Sequence, residues 1–418
     1  MSDGTFRSLR NPSYRTWFAG SLVSNIGTWV QRTAQDWLVL TQLTHHNATS
    51  LGVVMALQFG PHIVLLPFTG SAADRFDRRR ILIATQSAMF VLALTLGVLT
   101  LAGVVALWHV YAFALLLGCV TAFDGPASQT FVSQLVGDRD LSNAVGLNST
   151  SFNIARMVGP AIAGVLLASV GTGWAFMVNA LSYLAVLAAL WRLHAHRGHA
   201  GARASRENQG FVDGLRYVRS RPDLTAILVM LFLIGTFGLN FTIFISTMAV
   251  SVFHEGAQRY GLLMSIMAVG TITGSLLAAR RQHPRLEILL WSATVFGIGC
   301  TLAALMPTYW SFGAALMVIG VSALTFANST NSLLQLGTAP AMRGRVMAMR
   351  LAIALGGTPI GAPVVGWVAD TLGPRWSLGV GAASGFAAAA VLVAYLVRHR
   401  HLRVHVDAGR LRIRLDPA

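Results

Sequence analysis

The strongest constraint on this sequence is a succession of long apolar runs separated by short polar turns. A helix needs about 20 mostly apolar residues to cross the hydrocarbon core of a bilayer. Twelve runs meet that length. We therefore predict an all-α membrane protein with twelve transmembrane helices, at about 16–41, 50–73, 81–103, 108–133, 143–168, 173–192, 223–252, 259–279, 286–306, 309–335, 346–369 and 375–397.

Charge is scarce in this chain. Of its 418 residues, 54% are hydrophobic and 11% are charged, whereas a soluble domain has about 25% charged residues. The net charge is +16 and every basic residue counted in it is arginine. In a soluble protein this excess would suggest nucleic acid. Here we interpret the arginines as topology signals facing anionic lipid, so we expect the lipid bilayer as a partner and no nucleic acid.

The arginines orient the predicted helices. If both termini lie on one side, 27 of the 31 arginines fall on that side, in alternate loops and in the tail. Cytoplasmic loops carry such an excess, so both termini are expected in the cytoplasm. Residues 1–15 are polar and basic and do not resemble a cleavable signal. Heavy use of Arg, Ala, Gly and Val without Lys suggests a GC-rich genome and a bacterial cytoplasmic membrane.

One long polar segment divides the chain into halves that resemble each other. At a constant offset of 202, Gly159, Gly164, Gly171 and Trp174 match Gly361, Gly366, Gly373 and Trp376. Parallel repeats of this kind build transporters with a site at the repeat interface. His194, His196 and His199 in the polar segment lack an acid or cysteine to complete a metal site, so we predict no metal there. The expected domains are two six-helix bundles at 1–192 and 223–397, a cytoplasmic linker at 193–222 and a basic tail at 398–418.

The turn GSAADRFDRRR carries a family resemblance. Its residues Gly70, Asp74, Arg75, Arg78 and Arg79 match the signature of the major facilitator superfamily between helices two and three, with Asp77 in place of the second glycine. The form DRFDRR, the opening FRSLRNPSYRTWFAGSLVSNIGTW and the stretch NAVGLNSTSFNIARMVGPAIAGVLL resemble the branch of bacterial drug and siderophore exporters that includes the enterobactin exporter group. The resemblance implies the twelve-helix fold and export of a small molecule.

Two groups of residues take expected roles from this resemblance. Asp74 and the signature arginines would hold the cytoplasmic gate, and the alternative is a basic turn that only sets topology. Gly159, Pro160 and Gly164 resemble the exporter motif of span five, where proline would kink the helix; the alternative is close helix packing alone. Span four has Asp124 instead of the Arg-Gly signature of many proton-coupled members, so no proton relay is transferred from them.

Span one carries a polar stripe along one helical face. Asn25, Gln31, Arg32, Gln35 and Asp36 recur in it at helical spacing. Such a stripe is costly against lipid, which predicts that it faces a water-filled cavity. Arg32 and Asp36 are four residues apart, where opposite charges pair. Asp36 is a proton-coupling candidate, and the alternative is a residue at the outer edge with no role in transport.

Two deeper charges lie in neighbouring spans. Asp124 in span four and Arg156 in span five are near the middle of their runs, and an ionisable residue at that depth is a functional candidate. We expect the two to pair. The pair either only orients the helices, or Asp124 takes up a proton in one state and releases Arg156. The second half offers fewer charges, and Asn240, Asn328 and Gln335 are its cavity candidates.

These features predict a secondary transporter and not an enzyme. We expect export of an amphipathic drug-like or siderophore-like compound by proton antiport with alternating access, in a monomer and without a cofactor. A cavity of amides and aromatics suits such a substrate better than a sugar or an anion. A Gly-rich phosphate loop ending in Gly-Lys-Ser/Thr is absent from the sequence, which excludes an ATPase of that type. The alternatives are a non-transporting membrane sensor or scaffold and an importer of a small metabolite.

Overall fold

The computed structural model describes residues 6–193, 211–279, 285–399, 403–407 and 410–414. This part of the chain is almost entirely helical. Three π-helical segments, Leu38–Leu43, Ile234–Gly238 and Met248–Val252, continue or link helices, and a short antiparallel pair, β1 (Arg403–Asp407) and β2 (Arg410–Arg414), lies in the tail. The helices are α1 (Pro12–Trp37), α2 (Ala48–Arg75), α3 (Arg78–Leu101), α4 (Leu107–Leu135), α5 (Asp138–Ser169), α6 (Thr172–Arg192), α7 (Phe211–Arg219), α8 (Pro222–Leu233), α9 (Phe241–Thr247), α10 (Ala257–Ala279), α11 (Leu286–Leu305), α12 (Tyr309–Gly337), α13 (Arg343–Leu372) and α14 (Pro374–His399).

Eleven helical segments in the described ranges are long and apolar enough to cross a membrane. They correspond to the second to twelfth predicted spans, with Pro222–Val252 forming one span from α8 to the last π-helical segment. The first predicted span is α1, which is 26 residues long but falls short in apolarity because of its polar stripe. The predicted count of twelve therefore depends on α1.

Side chains that follow the usual capping rules begin several helices. Asn11 precedes Pro12 and accepts hydrogen bonds from the backbone amides of Ser13 and Tyr14 at the start of α1. Thr308 accepts a hydrogen bond from the Ser311 amide at the start of α12. Such caps satisfy amides that have no partner within the helix and stabilise it by about 1 kcal/mol each.

The predicted internal repeat is visible in two pairs of turns. Gly171 between α5 and α6 and Gly373 between α13 and α14 both have a positive φ, +87° and +105°. Glycine adopts this conformation without steric cost. The two glycines matched by the 202-residue offset therefore occupy equivalent turns that favour glycine. The first span of each half also ends alike, with π-helical segments that precede left-handed residues at His45, His46 and His254.

Exposed tryptophans mark the ends of several helices. They lie in the first or last turns of α4, α6, α12 and α14, and each exposes half or more of its surface: Trp108, Trp174, Trp191, Trp310 and Trp376. Tryptophan prefers the boundary between hydrocarbon and water. This placement agrees with a chain that spans a bilayer.

The chain forms two compact units. The first comprises the described residues within Met1–Arg206, Thr242–Val269 and Ala362–Pro374. A cluster around Tyr14, Trp17, Leu82 and Phe131 packs one end of its helices. The Tyr14 hydroxyl donates a hydrogen bond of 2.8 Å to the Ala144 carbonyl there.

The second unit comprises the described residues within Glu207–Phe241, Gly270–Gly361 and Arg375–Ala418. Small residues bring its helices close together. A Cβ added at Gly274 of α10 would lie 2.5 Å from the Val321 carbonyl of α12, and one at Gly385 of α14 would lie 2.8 Å from the Gly297 amide of α11. Such approaches favour van der Waals packing in a membrane, where no hydrophobic force drives helices together.

Candidate functional site

The polar stripe of α1 contacts several helices of the first unit. Asn25 donates a hydrogen bond of 3.3 Å to Ser151 of α5. Gln31 is buried and accepts a hydrogen bond of 2.5 Å from Asn179 of α6. Gln35 and Asp36 are also buried. The stripe therefore serves helix contacts as well as an open surface, and Gln31 is committed to packing.

Asp36 meets a residue that sequence reasoning did not select. The Tyr260 hydroxyl of α10 donates a hydrogen bond to Asp36 Oδ2 at 3.5 Å. Tyr260 is fully buried, and its ring lies against Trp37 at a centroid distance of 6.0 Å. Arg32, one turn earlier in α1, acts on Asp36 through its charge but forms no ion pair with it in the described ranges. Asp36 is thus a buried acid at a contact between α1 and α10.

Arg32 and Arg156 both lie against the indole of Trp29. The guanidinium carbons are 5.3 Å and 5.8 Å from the ring centroid, and Arg32 is also 5.7 Å from the ring of Phe59. His62, one turn after Phe59 in α2, lies 6.2 Å from that ring. All five side chains are partly exposed. We call Trp29, Arg32, Phe59, His62 and Arg156 the arginine cluster.

Asp124 has neutral partners. It accepts hydrogen bonds from the Thr85 hydroxyl at 2.6 Å and the Gln86 amide at 3.1 Å, both from α3. Among the described residues, it forms no ion pair with Arg156. The expected pairing of these two charges is therefore not observed, because the Asp124 side chain turns to α3 while Arg156 turns to α1.

The family signature lies where α2 ends and α3 begins. Asp77, which replaces the second glycine of the signature, caps α3 by accepting a hydrogen bond from the Arg80 amide at 3.0 Å. Arg79 Nε donates a hydrogen bond of 2.9 Å to the Leu190 carbonyl in the last turn of α6. Arg78 is partly buried. The predicted roles of the Asp74 and Arg75 side chains, and the surroundings of Gly70, lie outside the described residues.

The Gly-Pro motif lies inside a continuous helix, since α5 runs through Pro160. A Cβ added at Gly159 would lie 2.4 Å from Cβ of Trp29, and one at Gly164 would lie 3.0 Å from Cα of Gln258 in α10. Conversely, a Cβ at Gly261 of α10 would lie 2.2 Å from the Pro160 carbonyl. The motif therefore lets α5 approach α1 and α10 closely.

The candidates of the second half differ in environment. Asn240 is buried, and its amide donates a hydrogen bond of 2.7 Å to the Thr236 carbonyl. Asn328 of α12 is partly exposed, and Gln335 near the end of that helix is exposed. Asn240 is thus hydrogen-bonded within its own helical segment, whereas Asn328 and Gln335 remain candidates for the substrate cavity. No group of three or more His, Cys, Asp or Glu side chains in the described ranges could hold a metal ion.

Sequence reasoning also missed Asp370, near the end of α13. Its carboxylate accepts hydrogen bonds from the amides of Ala48 and Thr49 at 2.7 Å and 2.8 Å and from the Thr49 hydroxyl at 2.5 Å. It therefore caps the first turn of α2. No local sequence pattern predicts such a cap, because 321 residues separate Thr49 from Asp370.

Known proteins resemble this chain in sequence and in fold. Residues 3–408 match the family described as "Transmembrane secretion effector" of the major facilitator superfamily, and the chain belongs to that family. The Staphyloferrin A transporter of Staphylococcus aureus is 26% identical over 85% of this chain and 89% of its own length. The multidrug efflux pump Tap of Mycobacterium tuberculosis is 25% identical over 88% of this chain and 89% of its own. The macrolide efflux protein A of Streptococcus pyogenes is 24% identical over 86% and 90%, respectively.

Solved structures agree on the fold. A bacterial homologue of the human lysosomal transporter Spinster, in an inward-facing and occupied conformation, matches 94% of this chain and 97% of its own with a TM-score of 0.73 and 14% identity. A D-xylose–proton symporter matches 93% and 98% with a TM-score of 0.71 and 14% identity. The protein is therefore a multi-pass membrane transporter of small molecules with the major facilitator fold, in the branch of drug and siderophore exporters, and it is not an enzyme.

Proposed function

We propose that this transporter exports an amphipathic, drug-like or siderophore-like molecule across the bacterial cytoplasmic membrane by proton antiport. It works as a monomer with both termini in the cytoplasm, and alternating access arises from rocking of the bundles 1–192 and 223–397. The names of its relatives, a siderophore transporter and two efflux proteins, support export. The arginine distribution supports the orientation.

Contacts within the first unit support alternating access. They occur where α1 and α13 end, where α2 and α10 begin and in the second half of α5. With the termini inside, these parts of the helices belong to the outer half of the protein, so we name the contacts Asp370–Thr49, Asp36–Tyr260 and Gly261–Pro160 the outer contacts. A few hydrogen bonds and close backbone approaches bias one of two packings, and the outer contacts would separate when that face opens.

The contact between Asp36 and Tyr260 is the observation that carries proton coupling. Asp36 exposes 8% of its surface and Tyr260 none. The charged and titratable groups that act on Asp36 are Arg32 from its own helix and Tyr260 from α10. Burying a carboxylate costs less free energy when it is protonated. Proton uptake by Asp36 from outside would therefore favour formation of the outer contacts, as an exporter driven by inward proton flow requires.

Asp124 is a second candidate for proton uptake. Its hydrogen bonds from Thr85 and Gln86 hold it at the contact of α3 and α4, apart from the outer contacts. Gly70, Asp74, Arg75, Arg78 and Arg79 are proposed for the cytoplasmic gate at the opposite ends of the helices. The bond of Arg79 to the end of α6 supports this proposal. Asn25, Gln35, Asn328 and Gln335 remain candidates for the substrate cavity.

Inverted membrane vesicles provide the test, because their cytoplasmic face points outward. We would acidify the lumen and follow uptake of a cationic dye, a macrolide and a carboxylate-bearing iron chelator, with vesicles lacking the protein as control. Uptake that needs the protein and stops with an uncoupler is the expected result. If right-side-out vesicles take up a compound with inward proton flow and inverted vesicles take up none, the protein is an importer. Gradient-independent accumulation would exclude proton antiport.

A further inference from the structure

The arginine cluster holds two cationic side chains on one aromatic ring. Both guanidinium groups lie within 6 Å of the Trp29 centroid. Cation–π attraction stabilises each arginine there by about 0.5–2 kcal/mol. The charge of Arg32 also acts on Arg156 and on His62. Two positive charges brought together in this way repel each other, which favours a bound group of opposite charge.

No described acid forms an ion pair with either arginine, although the charge of Asp36 acts on Arg32. Neither Arg32 nor Arg156 forms a hydrogen bond or ion pair with any described residue, and the buried Arg32 Nε has no partner. Asp124 accepts hydrogen bonds from Thr85 and Gln86, and Asp36 accepts one from Tyr260. A buried N–H without a partner is costly, so the Arg32 Nε atom favours an acceptor supplied by a ligand.

His62 contributes a titratable ring to the same cluster. Its Nδ1 atom is buried and makes no hydrogen bond of good geometry, although the Gln58 carbonyl lies beside the ring. Its Nε2 atom lies 3.5 Å from the Thr121 hydroxyl. The imidazole therefore lies beside Arg32 with one ring nitrogen near the Thr121 hydroxyl and the other near the Gln58 carbonyl.

Gly159 fixes the geometry of the cluster. The space that its missing Cβ leaves is filled by Trp29, so α5 lies directly on α1 at this point. Arg156 is three residues earlier in α5 and thus on the same helical face. The Gly-Pro motif consequently brings Arg156 to the same indole as Arg32.

We propose that the arginine cluster binds a carboxylate of the substrate, so that the transported molecule is an anionic amphipath with a flat apolar part. The planar guanidinium matches a carboxylate with two parallel hydrogen bonds. Trp29 and Phe59 contact the apolar part. This inference rests on the proposed export function, because it names the substrate class of that transporter.

Binding to the purified protein in nanodiscs of zwitterionic lipid tests this proposal without any proton gradient. The neutral lipid keeps anionic headgroups away from the cluster. The probes are 2-naphthoate, the neutral 2-naphthamide and the cationic 2-naphthylmethylamine, which share one aromatic body. We expect naphthoate to bind at least tenfold more tightly than the other two. Equal or tighter binding of the amide or the amine would overturn the proposal.

Variants locate the binding. Arg32→Gln and Arg156→Gln are each expected to weaken naphthoate binding at least tenfold, and Arg156→Lys less than Arg156→Gln. Arg259→Gln is the matched control, since Arg259 pairs with Glu255 away from the cluster. Unchanged affinity in both glutamine variants would overturn the proposal, and the charge preference of the unaltered protein tests it even if a variant fails to fold. If the protein exports a cationic dye with the proton gradient but does not bind naphthoate, this inference is refuted while the proposed export function stands.

Discussion

The carboxylate of Asp370 binds the backbone amide and the hydroxyl of Thr49 and thereby caps α2 from the far end of the sequence. An added Cβ at Gly366, one turn before Asp370, would lie 2.4 Å from the Ala48 carbonyl. The start of α2 is thus held by both a charge-assisted hydrogen bond and close backbone packing. Under the proposed orientation this contact belongs to the outer face and breaks when that face opens.

Replacing Asp370 is expected to loosen the outer contacts. An N-terminal cap contributes about 1 kcal/mol, which is about fivefold in the equilibrium between closed and open faces. We predict that Asp370→Ala raises the rate at which an impermeant thiol reagent labels a chain carrying Ala48→Cys, with Cys119 and Cys300 replaced by serine. Ala48 is buried in the closed arrangement, so its labelling reports opening.

Thr308→Ala is the control for this experiment, because it removes the cap of α12, which takes no part in the outer contacts. It should leave the labelling rate at position 48 unchanged. Equal labelling in the Asp370 variant and the unaltered chain would contradict the role of Asp370 in closure.

The departure of Asp77 from the family signature leads to a second prediction. Its side chain caps α3, and glycine replaces a capping residue at a cost of only a few tenths of a kcal/mol, whereas alanine costs about 1 kcal/mol. Asp77→Gly, which restores the signature residue, should therefore retain nearly the full thermal stability in detergent. Asp77→Ala should melt at a lower temperature, and the reverse order would show that the cap does not govern this turn.

The close approach of α5 to α1 makes Gly159 sensitive to a single methyl group. An added Cβ would overlap Trp29, and overpacking of this kind costs about 1–3 kcal/mol. We predict that Gly159→Ala lowers the melting temperature and weakens transport. Gly146→Ala in the same helix is the matched control, since nothing lies within 4 Å of its added Cβ. It should maintain or raise the melting temperature. An equal decrease of the melting temperature in both variants would contradict the close approach of α5 to α1 at Gly159.

The sequence predicted the helices well because membrane spans are announced by local apolarity. Eleven of the predicted spans appear as apolar helices, and Gly171 and Gly373, which the repeat offset matched, both adopt a positive φ. The polar residues of α1 indicated the candidate site, but they also lowered the apolarity by which α1 would be recognised as a membrane span. The π-helical segments were not anticipated, since no local residue pattern distinguishes them.

Side-chain partners were harder to predict than helices. Asp124 and Arg156 lie on consecutive helices, yet each turns to a different neighbour, and adjacency alone does not fix that direction. The contacts of Tyr260 with Asp36 and of Asp370 with Thr49 join residues more than 200 positions apart. The amides and aromatics of the sequence favoured a substrate with little charge, whereas the unpaired arginines of the structure favour an anion.

Replacing Asp124 tests whether Asp36 is the residue that couples transport to the proton gradient. Asp124 lies apart from the outer contacts and is held by neutral partners. If Asp36 is the coupling acid, Asp124→Asn should alter the rate of transport but retain its dependence on the proton gradient. Loss of gradient dependence in Asp124→Asn alone would assign coupling to Asp124.

Accumulation by Asp36→Asn in inverted vesicles with an acid lumen is the most direct test of proton-coupled export. Asparagine keeps the shape of the side chain and its contact with Tyr260 but cannot bind and release a proton. We predict that this variant loses gradient-driven accumulation of the exported compound and retains exchange of labelled for unlabelled compound without a gradient. Glu255→Gln, which alters an ion pair with Arg259, should behave as the unaltered protein. Full uphill accumulation by Asp36→Asn would contradict the account.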